Sequence, residues 1–365
     1  MFPRNMKNLL AVILLFTLLL PGCHNDPVQT EEGASSPFPE AVEQNIDDDQ
    51  LLLAYVAAAN ISDLQGLAVA RNSVMVAERY YSDAGPEPDP DLHVMSVTKS
   101  ITSMLVGIAI HQGFIESVDQ TVSDFLGEKV DLVNPELGRV TIHQLLTMTC
   151  GHDWHEIGTD SEFGDWVTAP DQLDYIIEKP IINTPGTVFN YSDGAAHLVS
   201  AILTRATGMN TRAFARQYLF EPMGLGERDW NSDNRGITYG GVGLHIGIHD
   251  MIKFGNLVLN NGKFEGQQIV PADWLNTATG FKISTNNIVP YLTDYGYFWW
   301  LGSAYGHDFI CANGHGGQFI FIVSDLNLVV CARTNYLNRN STRAGENWYR
   351  VLDCIINLFL PAVRE

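Results

Sequence analysis

Met95-Ser96-Val97-Thr98-Lys99-Ser100-Ile101-Thr102-Ser103 marks the point where a polar approach gives way to a long apolar run that ends near Gly113. From Ile101 onward the apolar residues Ile101, Met104, Leu105, Ile108 and Ala109 recur at the spacing that places them on one face of a helix. Val97, Val106 and Ile110 add apolar side chains to the other faces, so the helix is expected at the centre of the molecule, buried on most sides.

Ser96 and Lys99 lie three residues apart in the first turn, where their side chains project to the same side and can meet. A serine hydroxyl attacks poorly until a neighbouring base takes its proton, and a lysine serves as that base only where its ammonium is made less stable. The positive end of the helix macrodipole has that effect. The competing reading is a serine N-cap beside a solvent-facing lysine, and one S-x-x-K arises by chance in a chain of this length.

With 365 residues, 45% hydrophobic and 17% charged, the chain can bury a large core in one big or two intimate domains. Its net charge of -21 argues against a nucleic-acid partner, which would require an excess of Lys and Arg. Arg4 and Lys7 precede an uncharged run over residues 9–20, too short for a stable membrane span but the length of a signal-peptide core. The run ends in Leu20-Pro21-Gly22-Cys23, which resembles a bacterial lipobox and would make Cys23 the lipidated first residue. An ordinary secretory signal is the alternative. Residues 1–22 are thus expected as a signal peptide and 23–49, rich in Pro, Ser, Glu and Asp, as an acidic flexible tether. This predicts a bacterial cell-envelope protein, lipid-anchored and facing the periplasm or exterior. Such a compartment permits disulfides among Cys150, Cys311, Cys331 and Cys354, although Cys331 and Cys354 sit where cysteine often serves as a small hydrophobe.

The main body is expected over residues 50–360. A helix near 51–59 leads to a hairpin of residues 64–70 and 74–81. The middle reads as short helices between Gly and Pro breaks, at 141–148, 172–178, 194–207, 211–219 and 249–259. Strands follow at 295–301, 309–312, 318–323 and 328–334, then a helix at 346–358. Strands at both ends of the chain predict an α+β fold with one antiparallel sheet flanked by helices. The sheet subdomain would comprise about 50–115 and 290–360, with a large, mostly helical subdomain of about 116–289 inserted.

Two further stretches could join Ser96. Pro185-Gly186-Thr187-Val188-Phe189-Asn190-Tyr191-Ser192-Asp193 is a turn and a short extended piece before a helix, which would present Tyr191 at a loop end. Tyr191 could exchange protons if neighbouring cations favoured its phenolate; alone it is equally a buried tyrosine with a satisfied hydroxyl. Gly314-His315-Gly316-Gly317-Gln318 opens an apolar strand, where glycines allow close substrate approach and a free N–H can donate to an oxyanion. A tight turn would explain it as well.

In order and element context, Ser96-Val97-Thr98-Lys99, Tyr191-Ser192-Asp193 and His315-Gly316-Gly317 resemble the serine beta-lactamase and penicillin-binding protein family. The resemblance is closest to its class C-like branch, which includes esterases and amide hydrolases. Supporting stretches are residues 141–149 and Gly240-Gly241-Val242-Gly243-Leu244. The resemblance implies a beta-lactamase/transpeptidase-like fold in which Ser96 is acylated, Lys99 activates it and Tyr191 shuttles protons. It further implies an oxyanion hole from the N–H groups of Ser96 and Gln318, substrate binding by Asp193, His315, Gly316 and Gly317, a small ester or amide substrate, and no cofactor. The family's frequent Tyr-x-Asn is Tyr-Ser-Asp here and its Lys-Thr-Gly is His-Gly-Gly, which favours simple esters or amides over antibiotics. A beta-lactamase or D-alanyl-D-alanine carboxypeptidase is the alternative activity.

His152, His155, Glu156 and Asp160 cluster after Gly151, but His-x-x-His-Glu is not the H-E-x-x-H zinc pattern and no metal site is expected. A non-catalytic envelope ligand-binding protein would not need Ser96, Lys99 and Tyr191 together. Oligomeric state is left open.

Overall fold

A computed structural model describes residues 36–81, 91–156, 161–335 and 341–364. The signal peptide, Cys23 and the first part of the tether, through residue 35, lie outside the described residues. In chain order the strands are β1 Leu64–Arg71, β2 Val74–Tyr80, β3 Leu92–His93, β4 His245–Ile246, β5 Lys263–Phe264, β6 Gln267–Gln268, β7 Ile283–Ser284, β8 Asp294–Tyr295, β9 Trp300–Ala304, β10 His307–Gly314, β11 Gln318–Val323 and β12 Leu328–Thr334. Eight of them form one sheet in the order β2-β1-β12-β11-β10-β9-β8-β7. The N-terminal hairpin is therefore joined to the C-terminal strands through an antiparallel β1/β12 pair, Val69 facing Val330 and Ala68 facing Cys331. The expected sheet built from both ends of the chain is present.

Strands β1, β11 and β12 are buried along their whole length, which explains why they read as apolar runs instead of alternations. Helices cover them. The Ile248–Leu259 helix approaches β12 through Gly255, where an added Cβ would lie 2.4 Å from Val329 Cγ1. Trp348 of the Ser341–Cys354 helix packs on Phe319 of β11, ring centroids 5.6 Å apart. The Ile248–Leu259 helix thus belongs to the sheet layers although its sequence position falls inside the expected helical insertion. Among the described residues no helix is long and apolar enough to cross a membrane.

Residues 36–49, expected within the flexible tether, are instead packed on the body. Residues Pro39–Glu43 form a helix with Ala41 buried, Phe38 packs on Tyr55 at 5.4 Å, and Ile46 bridges Val363. The buried guanidinium of Arg71 donates to the carbonyls of Gln44, Asn45, Leu326 and Arg364. Three apolar side chains dock this acidic segment once a partner surface exists, and a composition average hides them. The strand expected over 295–301 is interrupted: Gly296 N–H donates to Trp299 O at 2.8 Å, and Phe298 has a left-handed φ of 61°. The Val122–Val133 helix was not expected, although Val122, Phe125, Leu126 and Val130 recur at helical spacing along one face. Cys150, Cys311 and Cys354 are free thiols and, like Cys331, are buried.

Candidate active site

The Val97–His111 helix is buried from Val97 through Ala109. Fully burying Ile101, Met104, Leu105, Val106 and Ile108 contributes about 1.5–3 kcal/mol each, enough to hold the helix as the molecule's axis. Its polar side chains are spent on the surrounding backbone: Ser100 Oγ donates to Phe298 O at 2.6 Å and Thr102 Oγ1 to Gly240 O at 2.8 Å. Ser96 occupies the N-cap position, yet its side chain makes no capping hydrogen bond. Instead it accepts from Lys99 Nζ at 3.0 Å. Ser96 remains partly exposed while Lys99 is sealed, so the hydroxyl faces the exterior and the amine supports it from beneath.

The turn before Ser96 is held in an unusual conformation. Met95 has φ 51°, sparsely populated for a residue with a side chain, and its N–H donates to His93 Nδ1 at 3.0 Å. Burial, then His245, push His93 down to about 4, so that nitrogen stays an acceptor at neutral pH. The β3/β4 pair and the Val94 N–H to Leu244 O bond at 3.0 Å fasten the same turn from outside.

Lys99 also forms an ion pair with Asp193 and donates to Gly241 O at 3.2 Å. Its Nζ lies 4.6 Å from the centroid of the Tyr191 ring, within cation–π range. Tyr191 is hydrogen-bonded to Ser96, and burial followed by Asp193 raises its pKa well above the ordinary phenol value. Tyr191 is therefore a phenol at rest, because burial first and the neighbouring Asp193 second disfavour its phenolate. The ring is fixed against Trp300, centroids 5.4 Å apart, and edge-on to Tyr295 at 6.4 Å. Asp193, expected to touch substrate, is instead buried at 2% exposure as the partner of Lys99. The aspartate at this place in Tyr-Ser-Asp brings a charge, and a buried charge must be paired.

Glu156 joins this group. Its Oε2 accepts from the Asp193 N–H at 3.0 Å and from Trp154 Nε1 at 2.6 Å. Asn190 Nδ2 donates to the carbonyls of His152 at 3.1 Å and Trp154 at 3.0 Å, tying that segment to the one that carries Tyr191. Sequence reasoning met Glu156 only as a member of a His-rich cluster. His152 of that cluster is buried away from solvent, His155 is exposed, and Asp160 lies outside the described residues.

Strand β10 ends beside the nucleophile: a Cβ on Gly314 would stand 3.1 Å from Ser96 N and 2.6 Å from Val94 O. Gly316 and Gly317 take φ of 83° and 111°, forming the tight turn into β11. The Gln318 side chain is buried and donates to Thr334 O at 3.0 Å and Thr334 Oγ1 at 2.8 Å, and its main chain begins β11 opposite Gly314. His315 is exposed, and local desolvation lowers its basicity below the ordinary value. It is mostly neutral at neutral pH.

The beta-lactamase family profile matches residues 53–354. The chain belongs to the beta-lactamase family. This beta-lactamase-family protein is 25% identical over 223 residues to a 6-aminohexanoate-dimer hydrolase of Paenarthrobacter ureafaciens, a match covering 57% of this chain and 55% of the relative. The chain thus matches only about half of that relative's length. In fold it is similar to EstCE1, a hydrolase with promiscuous acyltransferase activity, with TM-score 0.66 and 15% identity, covering 85% of this chain and 99% of the other. It is similar also to a penicillin-binding protein from Bacillus halodurans, with TM-score 0.63 and 16% identity, covering 84% and 100%. Within the family's beta-lactamase/transpeptidase-like fold, the Ser96 helix packs against β10, β11 and the Asp193–Thr207 helix.

Proposed function

We propose that this protein is a serine hydrolase that cleaves ester or amide bonds of small substrates through an acyl-enzyme on Ser96. The observation that carries the reading is the 3.0 Å hydrogen bond from Lys99 Nζ to an Ser96 Oγ that does not cap its helix. Within the Lys99–Asp193 pair a proton can pass from ammonium to carboxylate, leaving an amine that takes the Ser96 proton as Oγ bonds to the substrate carbonyl carbon. The carbonyl π pair moves to oxygen. The N–H groups of Ser96 and Gln318 receive this oxyanion; no acceptor for the Ser96 N–H stands among the described residues. Collapse expels the alcohol or amine, protonated by the Tyr191 phenol, which regains a proton from Lys99. Water then repeats the sequence on the acyl-enzyme.

The neutral His315 favours uncharged acyl groups over carboxylated lactams, and the relatives named for an amino-acid dimer and for acyl transfer agree with an ester or amide substrate. Fluorophosphonate treatment followed by mass spectrometry should place the adduct on Ser96; equal labelling of Ser96→Ala would reject the reading. A cephalosporin or a D-alanyl-D-alanine peptide turned over faster than an activated ester, after correction for intrinsic reactivity, would favour the alternative activity. We also propose that Leu20-Pro21-Gly22-Cys23 directs lipidation at Cys23 and anchors the protein in a bacterial envelope. Cys23→Ser should then release the protein from membranes or block its processing.

A further inference from the structure

We infer that Glu156 is a positioning residue of the Ser96 site: its carboxyl, held by Trp154 and the Asp193 N–H, carries a proton shared with the Asp193 carboxylate, so that the two acids present one negative charge to Lys99. The inference deepens the hydrolase reading and rests on it for the role of Lys99.

The geometry requires a proton between the two acids. The Asp193 N–H donates to Glu156 Oε2 at 3.0 Å, which holds the two acids side by side, and carboxylate oxygens brought together need a hydrogen to bind. Oε2 of Glu156 already accepts two N–H bonds, which fixes the group in place and leaves Oε1 as the atom to bear the proton. Burial and the neighbouring Asp193 charge act in the same direction, pushing the Glu156 acid well above the carboxylate range, with Lys99 opposing them. The titratable groups facing Glu156 among the described residues are Asp193 at the start of its helix, Lys99 on the central helix and Tyr191 on the preceding loop. Only Lys99 is cationic.

The consequence is electrostatic. With one negative charge opposite, the ammonium of Lys99 can release a proton to Asp193 and become the amine that Ser96 needs. A second negative charge would bind the ammonium more strongly in a poorly solvated site and oppose that transfer. The surroundings are built for this contact: Gly194 lets the Trp154 ring approach, since a Cβ there would lie 2.9 Å from Cζ3, and Asn190 clamps the Glu156 segment.

Two measurements test the proposal. In the resting protein, infrared difference spectroscopy over a pH titration should show a protonated-carboxyl C=O band that disappears on the alkaline side and is absent in Glu156→Gln. This readout does not depend on turnover. For kcat/KM on an activated ester, the wild-type profile should fall on the alkaline side as Glu156 ionises, and Glu156→Gln, which cannot ionise, should lose that fall. Absence of the band, or an unchanged alkaline limb in Glu156→Gln, overturns the proposal. If Glu156→Gln does not fold, the band and its titration in the wild type still decide. Failure of fluorophosphonate to label Ser96, with the band present, would reject the hydrolase reading and leave the shared proton standing.

Discussion

Lys99 and Asp193 form an ion pair in which neither side chain reaches solvent, at 1% and 2% exposure. Removing one partner strands the other charge, which costs about 3–5 kcal/mol at buried sites, whereas replacing both by apolar groups of similar size costs far less. Asp193→Ala should therefore lose stability on that scale, Asp193→Asn less, and Lys99→Met/Asp193→Leu should recover part of the loss. Urea unfolding of the four proteins checks this. A double variant no more stable than Asp193→Ala would contradict it.

Gly241 stands against the same pair. A Cβ there would lie 2.4 Å from Asp193 Oδ1 and 3.1 Å from Lys99 Nζ, so Gly241→Ala must displace one of them. We expect kcat on an activated ester to fall by roughly a hundredfold, the scale of a misplacement of about 1 Å. Circular dichroism should show the fold retained. Wild-type kcat in this variant would disprove the tight approach.

His152 is fully buried, and burial, reinforced by Lys179, lowers it from 6.5 to about 4. Because the folded value is depressed, the stability tied to the neutral ring is present above the unfolded value and lost as pH falls through the folded one. The loss is on the order of 3 kcal/mol. His152→Leu should flatten the acid side of the stability profile between neutral pH and about pH 4. The check is a series of chemical unfolding midpoints in both proteins over that range. Parallel profiles would contradict the prediction.

His315 supplies a pH test of specificity. As the ring is neutral at neutral pH and gains charge in acid, the ratio of kcat/KM for a chromogenic cephalosporin to that for an activated ester should rise as pH falls. His315→Lys should raise the ratio at neutral pH and remove its dependence on pH. A wild-type ratio that does not move would separate His315 from substrate carboxylates.

Short motifs were legible because each bundles its chemistry with its local geometry. Ser96 and Lys99 share a helix turn, Tyr191 ends a loop one residue before a helix cap at Ser192, and Gly316-Gly317 can only be a tight turn. The paired strands at opposite ends were legible for the same reason, as continuous apolar runs. Glu156 was not, because it sits on an irregular segment and its meaning comes from Trp154 and Asp193, the latter 37 residues away. The pairing of Asp193 with Lys99 was not legible either, because its place in a motif says nothing about where the buried carboxylate points. Phe38, Ala41 and Ile46 were lost in the acidic average of their segment, and their docking surface comes from distant parts of the chain. Phe298 breaks an expected strand through a left-handed backbone that no apolar pattern signals.

The pairing of β1 with β12 also bears on the order in which the protein can be made. Leu64 meets Thr334 and Arg71 meets Leu328, so the first hairpin has no second neighbour until nearly all of the chain exists. Arg71 likewise finds Leu326 O and Arg364 O only once those distant residues have been made. A two-stranded hairpin alone is marginal, and contacts this distant in sequence form slowly. The nascent chain therefore keeps its principal sheet unclosed until residues 328–334 have been made, and until then β1 is an open edge.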